Sequence, residues 1–315
     1  MKTILVTGGA GFIGSHYIRH VLQKQENIKV LNVDKLAYAA DLRRLSDIES
    51  DKRYTFVHLD LSNKAGVNEL FNKYKIDHVM HFAAETHVDR SINNSFAFIE
   101  ANILGTYYLL EAARPAVKRF IHISTDEVYG TYTEGCAPEE TVLAPGNPYS
   151  ASKASSDLLA LSYVNTYKMP IIVTRCTNNY GPAQHQEKFI PHVIASLLGN
   201  GKVPIYGDGL QERDWLHVED HCAAIELLRH KGRVGEVYHI GGEQTRSNLA
   251  VAKQIADLLC KSYELLEHVV DRPGHDRRYS LATLKLQKEV GWAPKVPFDE
   301  GLKATVEWYK GIITK

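Results

Sequence analysis

The sequence has 315 residues, 44% hydrophobic and 23% charged, enough to bury a sizeable core in one large domain or two interlocked ones, with no disulfide or metal needed to hold it. Lysine plus arginine and aspartate plus glutamate both number 37. That balance excludes a global field that would draw in nucleic acid or an anionic membrane, so an anionic ligand has to be caught by local groups.

The chain opens MKTILVTGG, an apolar run too short for a signal peptide, and no later run approaches the ~20 residues of a membrane span, so a soluble, cytoplasmic protein is expected. A strand is predicted at 3–7 and a helix at 11–24, with TGGAGFIG between them. Gly8 permits a tight turn there, Gly11 lets the backbone approach a pyrophosphate, and Gly14 lets the helix pack close to the strand. The second strand, 29–33, ends at Asp34, twenty residues after Gly14. A carboxylate there can accept both ribose hydroxyls and repels a 2′-phosphate; this favours NAD over NADP, with Lys35 pulling the other way. Further strands are predicted at 54–59, 78–82, 120–124 and 171–175, and further helices at 65–73, 96–113 and 149–167. This alternation is that of an α/β doubly wound parallel sheet.

After about residue 180 the character changes. Gly and Pro become frequent in NYGP, GNGKVPIYGDG and DRPGHD, and the predicted helices 190–198, 219–229 and 249–260 are shorter. The expected organisation is a dinucleotide-binding domain over 1–180 and a smaller mixed α/β lobe over 181–315 that closes a cleft on the sheet's carboxyl edge. The boundary is approximate, and the chain is free to cross back over it. Cys136, Cys176, Cys222 and Cys260 lie far apart and read as reduced structural thiols. His217 and His221 flank Glu219, and His16 and His20 share that helical spacing, but neither pair has the His-Glu-x-x-His order of a zinc hydrolase, so no metal is expected.

The fifth strand runs into Ser124-Thr125-Asp126-Glu127-Val128-Tyr129-Gly130, and Tyr149-Ser150-Ala151-Ser152-Lys153 follows. A Tyr-x-x-x-Lys pair puts both side chains on one helix face, one turn apart. The ammonium of Lys153 is expected to favour the phenolate of Tyr149, giving a base that takes a hydroxyl proton while hydride leaves the same carbon. Adjacent acids such as Asp126 and Glu127 push each other's pKa values apart in a sheltered site, which helps one remain a proton donor.

The G-x-x-G-x-x-G form resembles that of the extended short-chain dehydrogenases. TGGAGFIGSH, VDKLAYA, HFAAETHVDRSI, STDEVYG, NPYSASKASSD, RCTNNYGP, EKFIP, ERDWLHVEDH and DRPGHDRRY, in this order and over essentially the whole chain, are similar to the dTDP-glucose 4,6-dehydratase family. The resemblance implies a Rossmann-type sheet, NAD as cofactor and a nucleotide sugar as substrate. For the cofactor it implies contacts by Gly8, Gly11, Phe12, Ile13, Gly14, Asp34, Lys35, Asp60, Leu61, Phe82, Ala83, Ala84, Tyr149, Lys153 and Asn178. For the nucleotide sugar it implies Thr86, Thr125, Asn179, Lys188, Phe189, Pro204, Ile205, Tyr206, Arg213, Asn248, Asp271, Arg272 and His275. Arg213 and Lys188 suit a diphosphate, Tyr206 can stack on a base, and Asn248 can hydrogen-bond ribose or base.

In the implied chemistry, carbon 4 is oxidised with Tyr149 as base and Thr125 bonding the reacting oxygen. Glu127 then removes the carbon 5 proton, protonated Asp126 lets the carbon 6 hydroxyl leave as water, and hydride returns to carbon 6. The acid pair separates this family from its relatives: UDP-galactose 4-epimerases usually show no acid pair there, and UDP-glucuronate decarboxylases generally carry Ser where this chain has Asp126. An epimerase or decarboxylase on the same scaffold is the alternative activity, and a non-catalytic NAD sensor is a remote one. Ala101, the AQHQ stretch after Pro182 and Thr86 depart from the family pattern; Thr86 keeps the hydroxyl of the usual Ser. A homodimer is expected, because helices 96–113 and 149–167 carry apolar residues on more than one face, among them Ile103, Leu109, Leu110, Leu158, Leu159 and Leu161.

Overall fold

The computed structural model describes residues 1–313. β1 (Lys2–Thr7) reads KTILVT with its last four residues buried, as in a strand covered on both faces. It is followed by α1 (Phe12–Lys24), β2 (Ile28–Asp34), β3 (Tyr54–His58), α2 (Lys64–Lys73) and β4 (His78–His81). α3 (Val88–Asn93) and α4 (Ser95–Phe98) lead through a π-helical turn, Ile99–Leu104, into α5 (Gly105–Ala113). β5 (Arg119–Thr125), α6 (Pro148–Tyr167) and β6 (Ile171–Cys176) complete the first half. The second half holds β7 (Asn178–Tyr180), α7 (Phe189–Leu198), β8 (Val203–Tyr206), β9 (Glu212–His217), α8 (Val218–Lys231), β10 (Val237–Ile240), β11 (Thr245–Ser247), α9 (Asn248–Leu258), β12 (Leu266–Val269), α10 (Leu284–Val290) and α11 (Phe298–Ile313).

Seven parallel strands form the main sheet in the order β10-β6-β5-β4-β1-β2-β3. The order reverses between β1 and β4, and a crevice opens beyond the carboxyl ends at that switch point. One face is covered by α1, α8 and α10, where Tyr17, Ile18 and Val21 pack with Ile225, Leu228 and Leu286. The other is covered by α2, α5 and α6 through Leu70, Leu109, Leu110, Ala160 and Tyr163. A separate apolar cluster of α7, α9 and α11 around Trp215 and Tyr180 forms the smaller lobe, next to the sheets β11-β9-β7 and β12-β8. The chain crosses back between the two units, since β10 joins the main sheet and α8 packs on α1.

Two local features position the site. α6 starts with Pro148 in its first turn and a reciprocal capping box, in which the Asn147 side chain accepts from the Ser150 amide at 2.9 Å and the Ser150 hydroxyl accepts from the Asn147 amide. Its buried face is largely Ser and Ala, which lets the helix sit close to β5 and β6 with Tyr149 and Lys153 tucked between. The stretch expected as one helix over 96–113 is instead interrupted by the π turn. There Asn102, almost fully buried, bonds the backbone of Glu85 and the hydroxyl of Ser152, tying the loop after β4 to α6.

Candidate active site

A cavity of about 310 Å³ runs along the carboxyl ends of the strands, within the usual size of small-molecule sites. Gly8 has φ +71°, and a Cβ there would stand 2.7 Å from the backbone of Ala83; at Gly14 it would stand 2.3 Å from the Gly8 carbonyl. Both positions therefore require glycine. Gly11 caps α1 with no side-chain bond to its first amides, and Phe12, Ile13 and Gly14 line the cavity there, which is the arrangement of an anion site.

At the end of β2 the Asp34 carboxylate accepts from the amides of Ala10 at 3.0 Å and Leu36 at 2.8 Å, which fixes it on the cavity wall. Burial, more than any other cause, raises its pKa. Lys35 is ion-paired with Glu85 at 3.1 Å, so its charge is already matched and does not offer itself to a 2′-phosphate. Asp60, Leu61, Phe82, Ala83, Ala84 and Asn178 continue the wall. Buried side-chain atoms on it without a hydrogen-bond partner among the described residues include Ser124 Oγ, Asp126 Oδ2, Thr177 Oγ1 and Asn178 Oδ1. Glycines that a Cβ would clash with, a fixed carboxylate and unpartnered polar atoms together fit a dinucleotide.

The reacting end is built by β5, the 3-10 turn Asp126–Tyr129 and α6. The Thr125 hydroxyl donates to Asp126 Oδ1 at 3.2 Å and accepts from the Glu127 amide at 3.3 Å. Burial and then Glu127 hold the Asp126 carboxyl well above its ordinary value, against Arg213. Burial also raises Glu127, with Arg213, Arg272 and Lys188 opposing it. One acid therefore stays a proton donor close to three cations that favour ionisation of the other.

Tyr149 differs from the expectation. Burial and then Glu127 push its phenol well above the usual value, and only the Thr125 bond works the other way. Lys153 is not among the leading influences on it; its ammonium donates to the Ile123 carbonyl at 2.7 Å.

On the substrate side, Thr86, Asn179 and Lys188 line the cavity, and Lys188 donates to the Thr86 carbonyl at 2.9 Å. Arg213 is buried over the Tyr279 ring and donates to the Asp276 carbonyl, while Arg272 pairs with Asp89 at 3.3 Å. Both oppose the rise that burial imposes on Glu127. Pro204, Ile205 and Tyr206 on β8, Asn248 at the start of α9, and Asp271 with His275 are not brought into the cavity wall. Among them, Asp271 bonds His275 at 2.6 Å and the Tyr206 ring meets His275 edge-on. The side chains of Ile205 and Phe189 belong to the lobe core, Phe189 stacked on Trp215. Of the paired histidines read from the sequence, His221 is bonded to Asn179 and His16 to the Pro182 carbonyl.

Sequence reasoning missed Tyr38, Glu85, Cys176 and Glu187, all on the cavity wall. Tyr38 donates to Glu187 at 2.8 Å, and the Arg90 guanidinium lies 3.5 Å over the Tyr38 ring, so three segments are joined across the cavity. Each of these residues stands inside a motif quoted above, but its role needed a partner far away in sequence.

A Rossmann sheet with a glycine-rich first turn, Thr125 at a strand end, and Tyr149 and Lys153 on the following helix define a nicotinamide-dependent enzyme of the extended short-chain dehydrogenase/reductase class. The family model described as GDP-mannose 4,6 dehydratase matches residues 5–305. The chain is 48% identical to dTDP-glucose 4,6-dehydratase of Salmonella typhimurium, over 97% of this chain and 92% of that protein. It is also 48% identical to dTDP-glucose 4,6-dehydratase of Streptomyces niveus, over 98% and 92%. The crystal structure of the dTDP-glucose 4,6-dehydratase DesIV from Streptomyces venezuelae, with NAD bound, superposes with a TM-score of 0.95 at 44% identity, covering 98% of this chain and 97% of that one. The chain belongs to the nucleotide-sugar 4,6-dehydratase family and, within it, to the dTDP-glucose 4,6-dehydratases.

Proposed function

We infer that this protein converts dTDP-glucose to dTDP-4-keto-6-deoxyglucose and water, as an NAD-dependent hydro-lyase. The observation that carries this reading is the acid pair Asp126 and Glu127, held next to Thr125 and Tyr149 with Asp126 favoured in its protonated form. When bound, NAD supplies the reversible two-electron acceptor that makes carbon 4 a ketone and later saturates carbon 6. Thr125 bonds the carbon 4 oxygen and Tyr149 takes its proton. The ketone acidifies carbon 5, Glu127 removes that proton, and Asp126 protonates the carbon 6 hydroxyl as it leaves. Glu127 then returns its proton to carbon 5. Gly8, Gly11, Phe12, Ile13, Gly14 and Asp34 hold the cofactor, and Lys188, Arg213 and Arg272 supply the charge that a diphosphate needs.

Incubation with dTDP-glucose should give a 4-keto-6-deoxy product by mass and NMR, with no added oxidant. Stoichiometric release of free NADH, or a product that keeps the carbon 6 hydroxyl, would defeat this reading in favour of a net oxidation or an epimerisation. The scaffold itself does not discriminate, because UDP-glucuronic acid 4-epimerase from Bacillus cereus superposes with a TM-score of 0.93 at 29% identity, covering 98% of this chain and 99% of that one.

The working unit we propose is a cytoplasmic homodimer. Among the described residues no helix is long and apolar enough to cross a membrane. Of the apolar residues expected on a second helix face, Leu158 is exposed, Ile103, Leu159 and Leu161 are half-buried, and Leu109 and Leu110 lie fully buried in the sheet's core. The apolar surface is instead built by Phe96 (64% exposed), Ile99, Leu104 and Tyr107 together with Leu158 (59%) and Tyr167. Two helices of each subunit, α5 with its N-terminal extension and α6, could pair over this surface. Sedimentation equilibrium at micromolar protein should give a dimer, and Leu158→Glu should shift it to monomer. An unsubstituted monomer would sink the proposal.

A further inference from the structure

One helical turn beyond Lys153 on α6 stands Asp157, fully buried and outside the cavity wall. Spacing of four residues places the two side chains on one helix face. Arg175 of β6 donates through Nε to Asp157 Oδ2 at 2.9 Å and through its other arm to the Tyr129 hydroxyl, which is bonded to His239. His122 of β5 brings Nε2 to 3.2 Å from Asp157 Oδ1 and to 3.2 Å from Ser156 Oγ. The Ser156 hydroxyl is committed to the Lys153 carbonyl at 2.9 Å, so it can only accept from His122. This assigns a proton to Nε2 and makes His122 a donor there.

The charge balance is unequal. Burial holds His81, His122 and His239 below their ordinary values, and it raises Tyr129, Tyr149 and Cys176, the thiol up to about 12, so all six are uncharged near neutrality. The charged groups that act on one another here are the cations Lys153 and Arg175 and the carboxylate of Asp157, with Glu139 facing Tyr129 and His239 and Lys285 facing His239. Burial pushes Asp157 up, but His122, Arg175 and Lys153 outweigh it and hold it below the usual range. Burial likewise lowers Lys153, and Asp157 leads the groups opposing that loss of charge. Two buried cations without a carboxylate would repel one another in a medium that already disfavours charge.

We propose that Asp157 is a positioning residue of the reaction: anchored by Arg175 one helical turn from Lys153, it is the buried counter-charge that keeps Lys153 protonated, while the Ile123 carbonyl holds the ammonium in place. The inference rests on the reading of Tyr149 as base, with Lys153 supporting it as the Tyr-x-x-x-Lys pair implies, and it extends that reading to a residue outside the cavity wall.

In Asp157→Asn the shape is kept and the charge is lost. The alkaline limb of kcat should then move down by at least about one pH unit, so that the deficit at pH 8 exceeds that at pH 6 by ~10-fold or more. Asp157→Glu should restore most of the limb. In lysine-labelled protein without substrate, the Lys153 ε-carbon should report the same downward shift of its titration by NMR. A loss equal at every pH, with Lys153 still charged in the Asn variant, would leave Asp157 a merely structural residue and overturn the proposal. If the Asn variant does not fold, the unsubstituted protein decides: a neutral Lys153 at pH 7 overturns the proposal, and a charged one up to about pH 9 whose titration moves in Asp157→Glu upholds it. Absence of product from the unsubstituted protein would instead defeat the dehydratase reading, and the lysine titration, which needs no substrate, would still test Asp157.

Discussion

Asp126→Asn is expected to separate the two halves of the reaction, leaving oxidation at carbon 4 intact and slowing elimination by ~100-fold or more, the worth of a positioned general acid. The geometry supports this division. Asp126 Oδ1 is occupied by the Thr125 hydroxyl, while Oδ2 is buried without a partner on the cavity wall and is the atom free to deliver a proton. Oxidation needs Tyr149 and Thr125 and neither carboxylate, so a single turnover should show reduced cofactor building up while the 6-deoxy product lags. Product formation near the unsubstituted rate would remove the acid role, and with it the reason for preferring a dehydratase to an epimerase.

The same substitution should show in stability, with a sign fixed by linkage. Burial and Glu127 raise the folded-state pKa of Asp126 above its unfolded value, so the folded protein binds more protons than the unfolded chain between the two values. The favourable contribution of the neutral acid is complete below the unfolded pKa and is lost as pH rises through the folded one. Asn cannot ionise. Asp126→Asn should therefore gain stability relative to the unsubstituted protein as pH is raised from 5 to 8, read as a difference in Tm. A Tm difference that does not change over that range would mean that Asp126 is not held protonated.

Much of this site was legible in the sequence because its chemistry is local. Gly8, Gly11 and Gly14 lie within seven residues, Thr125 to Glu127 are consecutive, and Tyr149 and Lys153 share one helix turn. Strands β1, β2 and β4 to β6 were legible for a related reason, since parallel strands buried on both faces read as apolar runs, whereas the half-exposed edge strand β3 shows through the aromatic and β-branched residues of YTFVH. What could not be read is set by distant partners. β9 has the sequence ERDWLH, with Arg213 and Asp214 buried, and looks like a loop until Asp214 is seen accepting from the amides of Gly242 and Gln244. β10 is only four residues long and becomes a strand by pairing with β6, sixty-four residues earlier in register. The π turn follows from Asn102 reaching Glu85 and Ser152, which helical periodicity does not encode. The direction of the Tyr149 shift was missed for the same reason: spacing gives the neighbour Lys153, but the depth of burial comes only from the assembled fold.

Tyr149→Phe should behave oppositely to Asp126→Asn. The substitution keeps the ring in its edge-on contact with Phe98 and removes only the hydroxyl, so folding should be little affected. Without a base for the carbon 4 hydroxyl the first step is slowed by ~100-fold to ~10,000-fold, and reduced cofactor never accumulates. Because burial and then Glu127 hold the phenol high, the oxidation step should quicken as pH rises, whereas elimination, which needs Asp126 protonated, should slow. Tyr149→Phe removes the rising dependence, and Asp126→Asn removes the part of the fall that elimination contributes, leaving the alkaline limb set by Lys153. The double variant provides the decisive comparison. If oxidation precedes elimination, it should resemble Tyr149→Phe alone, with no cofactor signal and with losses that fall short of additivity, because a step that is never reached cannot be slowed further. Fully additive losses, or a cofactor signal in the double variant, would mean that carbon 4 is oxidised without Tyr149 as its base.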